Sequence, residues 1–181
     1  MILQIVSGGQ TGADQGGLEA AIALGIPVGG WAPRGWLTEN GPDPTLEWKY
    51  GIKEHAKPGY PARTLANVQE SDCTIIFGNL RSAGSMLTRE LCVENKKPYF
   101  HIPGLYILLQ EFRAHMQGKV EEAKLVDQFN HLRTTQMGFF RGFIKGRFTV
   151  LNIAGNRESV QPGIQQAVKS FLIEAIPLAN K

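Results

Sequence analysis

Ser7-Gly8-Gly9-Gln10-Thr11-Gly12-Ala13-Asp14 places three glycines, three neutral side-chain donors and a carboxylate in one short stretch. Gly8, Gly9 and Gly12 allow positive φ and let a ligand approach the backbone, while Ser7, Gln10 and Thr11 add donors. The apolar run Ile2-Leu3-Gln4-Ile5-Val6 before it reads as a buried strand. Leu18, Ala21 and Ile22 after it recur at helical spacing. Strand, glycine-rich turn and helix together aim unpaired amide N–H groups at an anion. A plain connection would need only one glycine. No lysine follows as Walker A requires, and the glycine spacing departs from Gly-x-Gly-x-x-Gly. A phosphate-like ligand fits this loop; ATP hydrolysis and hydride transfer do not follow from it.

Two further loops share the arrangement. Gly78 to Ser85 follows the apolar run Cys73-Thr74-Ile75-Ile76-Phe77, and Gly155 to Ser159 follows Thr149 to Ala154. Each precedes a helical pattern. The expected ligand contacts are Ser7, Gly8, Gly9, Gln10, Thr11 and Gly12, joined by Gly84, Ser85, Thr88, Gly155, Arg157 and Ser159. Arg157 or Arg81 would supply positive charge. A Gly9→Val change is expected to block binding while leaving the fold largely intact. Asp14 is either a favourable charge at a helix start or a catalyst, and Glu39 is either a solvated loop charge or a catalyst. Glu90 reads as a surface residue and Glu158 as a first-turn carboxylate. His55, His101, His115 and His131 are scattered and neither cysteine has a ligand at short spacing, so no protein-ligated metal is expected.

The elements that must position these residues follow from periodicity. A helix from about Gly12 to Leu24 ends at Gly25 and Pro27, and a short strand at best lies within 26–30. From Trp31 to Pro61 the chain is rich in glycine, proline and polar residues and reads as a structureless cover over a site. Trp31, Trp36 and Trp48 in it would pack as anchors or stack on a planar ligand. Pro61 to Ser71 predicts a helix, and after Ser85 another turns Leu87 and Leu91 inward. Tyr99 to Ile102 predicts a strand. One or two helices, broken near Gly118, are expected from Leu105 to about Leu132. Met137 to Phe148 interleaves phenylalanines with Arg141, Lys145 and Arg147, and reads as an interface or edge segment in preference to a single-stranded nucleic-acid surface. A last helix carries Pro162 in its first turn and stops at Pro177. The sum is an α/β fold, a parallel sheet flanked by helices with a helical insertion near residues 105–135, and all three loops fall at the carboxyl edge of the sheet.

Composition bounds the rest. The 181 residues are expected to form one domain spanning 1–181, with 43% hydrophobic and 19% charged residues. A net charge of +3 does not announce nucleic acid or an anionic membrane. Cys73 and Cys92 read as buried thiols, and no basic leader or long apolar stretch is seen, so a cytoplasmic location is expected.

On these motifs the chain resembles the putative molybdenum carrier family of the SLOG superfamily, which is related to the lonely-guy and lysine-decarboxylase-like proteins. The resemblance is carried by Ser7 to Asp14, by Gly29-Gly30-Trp31-x-Pro33-x-Gly35 with Glu39-x-Gly41-Pro42, and by Arg63-Thr64-x-x-Asn67-Val68-x-x-Ser71-Asp72. It continues in Gly84-Ser85-x-Leu87-Thr88 and Leu151-Asn152-x-Ala154-Gly155-x-Arg157-Glu158-Ser159. It implies a Rossmann-like fold and a phosphorylated, nucleotide-like small molecule as partner: either the molybdenum cofactor (molybdopterin), with metal carried on the pterin's sulfur atoms, or a nucleotide. Self-association into a homo-oligomer is expected because relatives oligomerise. The alternative is a nucleoside-monophosphate phosphoribohydrolase like the lonely-guy group. That group's catalytic glutamate position is taken here by Thr88, which cannot act as a carboxylate base.

Overall fold

The structure, a computed structural model, describes residues 1–103 and 122–179. β1 (Gln4–Ser7) leads through the first glycine loop into α1 (Ala13–Ala23), and β2 (Val28–Gly29) follows. The chain then makes β3 (Trp31–Ala32), β4 (Leu37–Thr38), β5 (Gly41–Pro42), α2 (Thr45–Tyr50) and β6 (Lys53–Glu54) before α3 (Tyr60–Glu70). After it come β7 (Cys73–Phe77), α4 (Ala83–Glu94), β8 (Tyr99–Ile102), α5 (Glu122–Ile144), β9 (Val150–Gly155) and α6 (Ile164–Ala179).

Five strands form one parallel sheet in the order β2-β1-β9-β7-β8. Its register aligns Ser7 with Ile153, and Phe77 with both Gly155 and Ile102. The loops after β1, β9 and β7 therefore leave the sheet side by side. β7 is buried at every position, as its unbroken apolar run requires of a central parallel strand. Two polar side chains between the strands are paired there: Ser7 Oγ donates to Ile153 O (2.5 Å) and Asn152 Nδ2 to Thr74 Oγ1 (3.1 Å). The Rossmann-like α/β expectation holds, with six helices around the sheet among the described residues.

α1 packs closely on α6, and α6 in turn on α5. The approach of α1 to the sheet depends on Gly17, where a Cβ would lie 2.6 Å from the Cβ of Ile153. Phe100, Phe140, Phe143, Phe148 and Phe171 join in a chain of ring contacts with centroids 5.0–6.3 Å apart. The Arg147 guanidinium lies over Phe143 and Phe148. Most of the phenylalanines between Met137 and Phe148 are thus core, with Phe139 alone turned out to solvent.

Several expectations on helix limits change. The region from 31 to 61 is not structureless. It carries a two-stranded parallel pair β3-β6, an antiparallel pair β4-β5, and α2, whose Leu46 and Tyr50 pack with Ile52, Ala32 and Leu18. Two-residue strands leave no readable period, which is why sequence patterning misses them. α4 buries Ser85, Thr88 and Cys92, while Leu87 and Leu91 are only half-buried. α6 starts two residues after Pro162 and continues past Pro177. The helices expected between Leu105 and Gly118 fall outside the described residues; the part from 122 onward is the single helix α5.

Candidate functional site

The three loops meet around Asn156. Its Oδ1 accepts from Asn79 N (2.6 Å), its Nδ2 donates to Ser82 Oγ (2.7 Å), and its carbonyl accepts from Ala13 N (3.0 Å). One amide side chain so ties the loop after β9 to the start of α4, while its backbone ties the same loop to the start of α1. Ser82 caps α4 by accepting from Ser85 N (3.3 Å), and Thr88 Oγ1 donates to Gly84 O (2.9 Å). Above this lies a cleft of about 410 Å³. Gln10 and Asp14 line it from the first loop, Tyr60, Arg63 and Thr64 from α3, and Ser82, Ala83, Gly84, Leu87 and Thr88 from α4. Ala154 to Arg157 and Val160 close it from β9 onward.

Of the expected contacts, Gln10, Gly84, Thr88, Gly155, Arg157 and the carboxylate Asp14 come together on the cleft wall. Ser7, Gly8, Gly9, Thr11, Gly12, Ser85 and Ser159 do not line it. The amides of the first loop are largely taken within the protein. Gln10 N donates to Asp14 Oδ2 (3.3 Å), Thr11 N to Gln10 Oε1 (3.0 Å) and Gly12 N to Gln165 Oε1 (3.3 Å). Asp14 thus fills, with its own carboxylate, a place at the loop where a ligand anion was expected. Gly9 has φ +72°, and a Cβ there would stand 2.9 Å from both Leu46 Cδ1 and Ile52 Cδ1. The expectation that Gly9→Val spares the fold is therefore overturned, because this glycine is pressed against the α2 packing.

α4 offers the opposite situation. Ala83 and Gly84 line the cleft, and among the described residues their N–H groups have no hydrogen-bond acceptor. A Cβ on Gly84 would meet nothing within 4 Å.

Asp14 is 4% exposed and pairs with Arg63, whose Nη1 lies 3.3 Å from Asp14 Oδ2. Burial raises the Asp14 pKa, opposed by the Arg63 charge and by hydrogen bonds from Gln10 and Gly8 backbone N–H groups. Glu39 is no free loop charge. It accepts from the Thr11 hydroxyl, from the Ser159 hydroxyl and from Ser159 N (3.2 Å), with Arg157 3.9 Å away. Burial would raise its pKa, but the Ser159 and Thr11 bonds and Arg157 outweigh it and hold Glu39 below its ordinary value. Glu39 so fastens the β4–β5 turn across the first and third loops. Glu158 accepts from Gly163 N and Gln165 N, serving the start of α6.

None of the tryptophans lines the cleft. Trp31 packs edge-on to His55, Trp36 Nε1 donates to Ile52 O (3.5 Å), and Trp48 is 74% exposed. Both cysteines are buried free thiols, and burial, with Cys92 and Asp72 adding to it, pushes Cys73 up to about 12. Among the described residues no cluster of three or more His, Cys, Asp or Glu could hold a metal ion, and no helix is long and apolar enough to cross a membrane.

Sequence reasoning did not single out Tyr60, Arg63 and Asn156 as site residues. Arg63 stands 49 positions from the carboxylate it meets, so no local spacing reveals the pair. Asn156 lies between Gly155 and Arg157, and nothing local in the sequence distinguishes it from an ordinary turn residue.

The circularly permutated YpsA SLOG family matches residues 5–176. The crystal structure named putative molybdenum carrier protein from Syntrophus aciditrophicus SB is similar at 31% identity, with 96% of each chain covered and a TM-score of 0.66. No curated protein matches.

Proposed function

Because the chain belongs to the circularly permutated YpsA SLOG family, we propose that its cleft binds a phosphorylated, nucleotide-like small molecule with the phosphate at the first turn of α4. The observation that carries this is the pair of unclaimed amides, Ala83 and Gly84, in residues that line a cleft also lined by Arg157. Oriented amides and a guanidinium favour phosphate oxygens, and the helix start adds a favourable dipole. A volume of about 410 Å³ suits one nucleotide-sized molecule.

The name of the similar crystal structure supports one version of this reading, in which the ligand is the phosphorylated pterin of the molybdenum cofactor. The metal would then be cargo carried on the pterin's own sulfur atoms. The second reading is hydrolysis of a nucleoside monophosphate to base and ribose phosphate. Asp14 is the observation that favours it, as a cleft carboxyl whose burial shifts it toward general acid–base use. Thr88 offers no such chemistry.

Native mass spectrometry of freshly purified protein, followed by denaturation, tests the assignment. A released pterin phosphate supports the carrier version; a free base with ribose phosphate supports hydrolysis. Gly84→Leu should fold normally, since its side chain enters open space, and should lower affinity for the released compound by at least roughly tenfold. Unchanged affinity in that variant would remove the phosphate from α4.

A further inference from the structure

The hairpin of β4 and β5 is tied to the rest of the protein through one residue at its tip. Glu39 donates its backbone N–H to Gln10 Oε1 (2.8 Å). Its carboxylate accepts from the Thr11 and Ser159 hydroxyls and from Ser159 N (3.2 Å). Among the described residues no other hydrogen bond leaves residues 37–42. Thr38 Oγ1 donates to Gly41 O (2.8 Å) and accepts from Asn40 N (3.2 Å), both inside the turn. Leu37, Asn40 and Pro42 are exposed.

The base of the hairpin, by contrast, is fixed. Trp36 packs against the cluster of Leu46, Tyr50 and Ile52, and its carbonyl accepts from Asp43 N (3.0 Å). Asp43 Oδ1 in turn accepts from Thr45 N (3.1 Å) at the start of α2. A firm base, two-residue strands and a tip held through a single residue make a flap that opens locally while the sheet stays intact.

The tether also reaches the cleft. Gln10 and Arg157 both line it, and both meet Glu39. Arg157 Nε lies 3.9 Å from Glu39 Oε2, a loose pair, and the arginine side chain is 48% exposed and has room to turn. A neutral or apolar ligand would leave that pair in place. A phosphate would compete with the carboxylate for the same guanidinium, which suits phosphate oxygens, and would repel Glu39 as a like charge.

We propose that the β4–β5 hairpin is a latch over the first and third loops, held shut by Glu39 and loosened when a phosphate takes Arg157. This rests on the phosphate reading of the cleft and gives that site a moving part. Coupling of this kind is reciprocal, so the closed latch must lower phosphate affinity by the factor that phosphate favours its release.

Hydrogen–deuterium exchange of the full chain with and without inorganic phosphate, joined to isothermal titration of the same anion, tests this. Phosphate is expected to speed exchange in the peptide spanning 37–42 by at least about threefold, with β7 and β9 keeping their rates. Glu39→Gln keeps the size of the side chain but drops its charge, and is expected to bind phosphate about threefold tighter. Phosphate that binds without speeding exchange in that peptide, or that binds no tighter to Glu39→Gln, would overturn the latch and leave the phosphate assignment standing. Phosphate that binds neither protein would overturn both. Exchange in the unaltered protein decides the question by itself should Glu39→Gln fail to fold.

Discussion

At the scale of residues, the behaviour of Asp14 depends on Arg63. Replacing Arg63 by Gln leaves a buried carboxyl without its counter-charge, and stability should fall by about 3 kcal/mol at pH 7. The sign of the pH dependence follows from the raised pKa of Asp14. A carboxyl that holds its proton more tightly when folded supports the fold below the unfolded value of 3.8 and loses that contribution as pH climbs through the folded value. Arg63→Gln should push that folded value higher, so its urea midpoint should drop more steeply with rising pH than that of the unaltered protein. Identical slopes would mean that the guanidinium does not act on this carboxyl. Gly9→Val is expected to lower the unfolding free energy in urea titration by at least about 2 kcal/mol, through positive φ and the contacts with Leu46 and Ile52. The glycines and Asp14 were legible in the sequence as a set, but not the fact that the carboxylate satisfies the loop itself. That depends on Arg63 arriving from α3 to neutralise it, a meeting that only the folded chain arranges.

At the scale of elements, the sheet is pinned at its amino edge by Asp72. Oδ2 accepts from Thr149 N (2.8 Å), Thr149 Oγ1 (2.8 Å) and Val150 N (2.9 Å), joining the starts of β7 and β9. Hydrogen bonds from Val150 and Thr149 hold its pKa below the ordinary value, against some desolvation. A lowered carboxyl gives stability that is complete above 3.8 and is lost as pH falls through the folded value. Asp72→Ala should therefore cost about 2 kcal/mol at pH 7, with the difference shrinking in melts taken below pH 3.8. A constant difference across that range would assign the loss to packing instead. Patterning located β1, β7, β9 and the helices between them because long apolar runs and 3.6-residue periods survive in one dimension. It could not locate β3 to β6. Pairs such as Trp31 with Lys53 and Leu37 with Pro42 are set by tertiary contacts, with too few residues for a period.

At the scale of the molecule, α1 and α6 clasp one another over the sheet, and Gly17 sets how near α1 comes to β9. Helix propensity alone would favour alanine there by about 1 kcal/mol. The Ile153 Cβ is fixed to a buried strand and cannot yield, so Gly17→Ala should instead destabilise by about 1–2 kcal/mol in urea titration. A stabilised variant would show that α1 can lift away from the sheet. The parallel order β2-β1-β9-β7-β8 also sets β9 between two strands formed much earlier in the chain. Ser7 meets Ile153 across a separation of 146 residues. On a ribosome, β1 thus emerges long before its second neighbour, and the growing chain holds two half-sheets, β2-β1 and β7-β8, with a missing middle. Asn156, which draws the three loops together, follows directly after that last strand. An interrupted translation product therefore contains most of the cleft wall but no cleft, and an occupied site certifies that synthesis has passed the centre of the sheet.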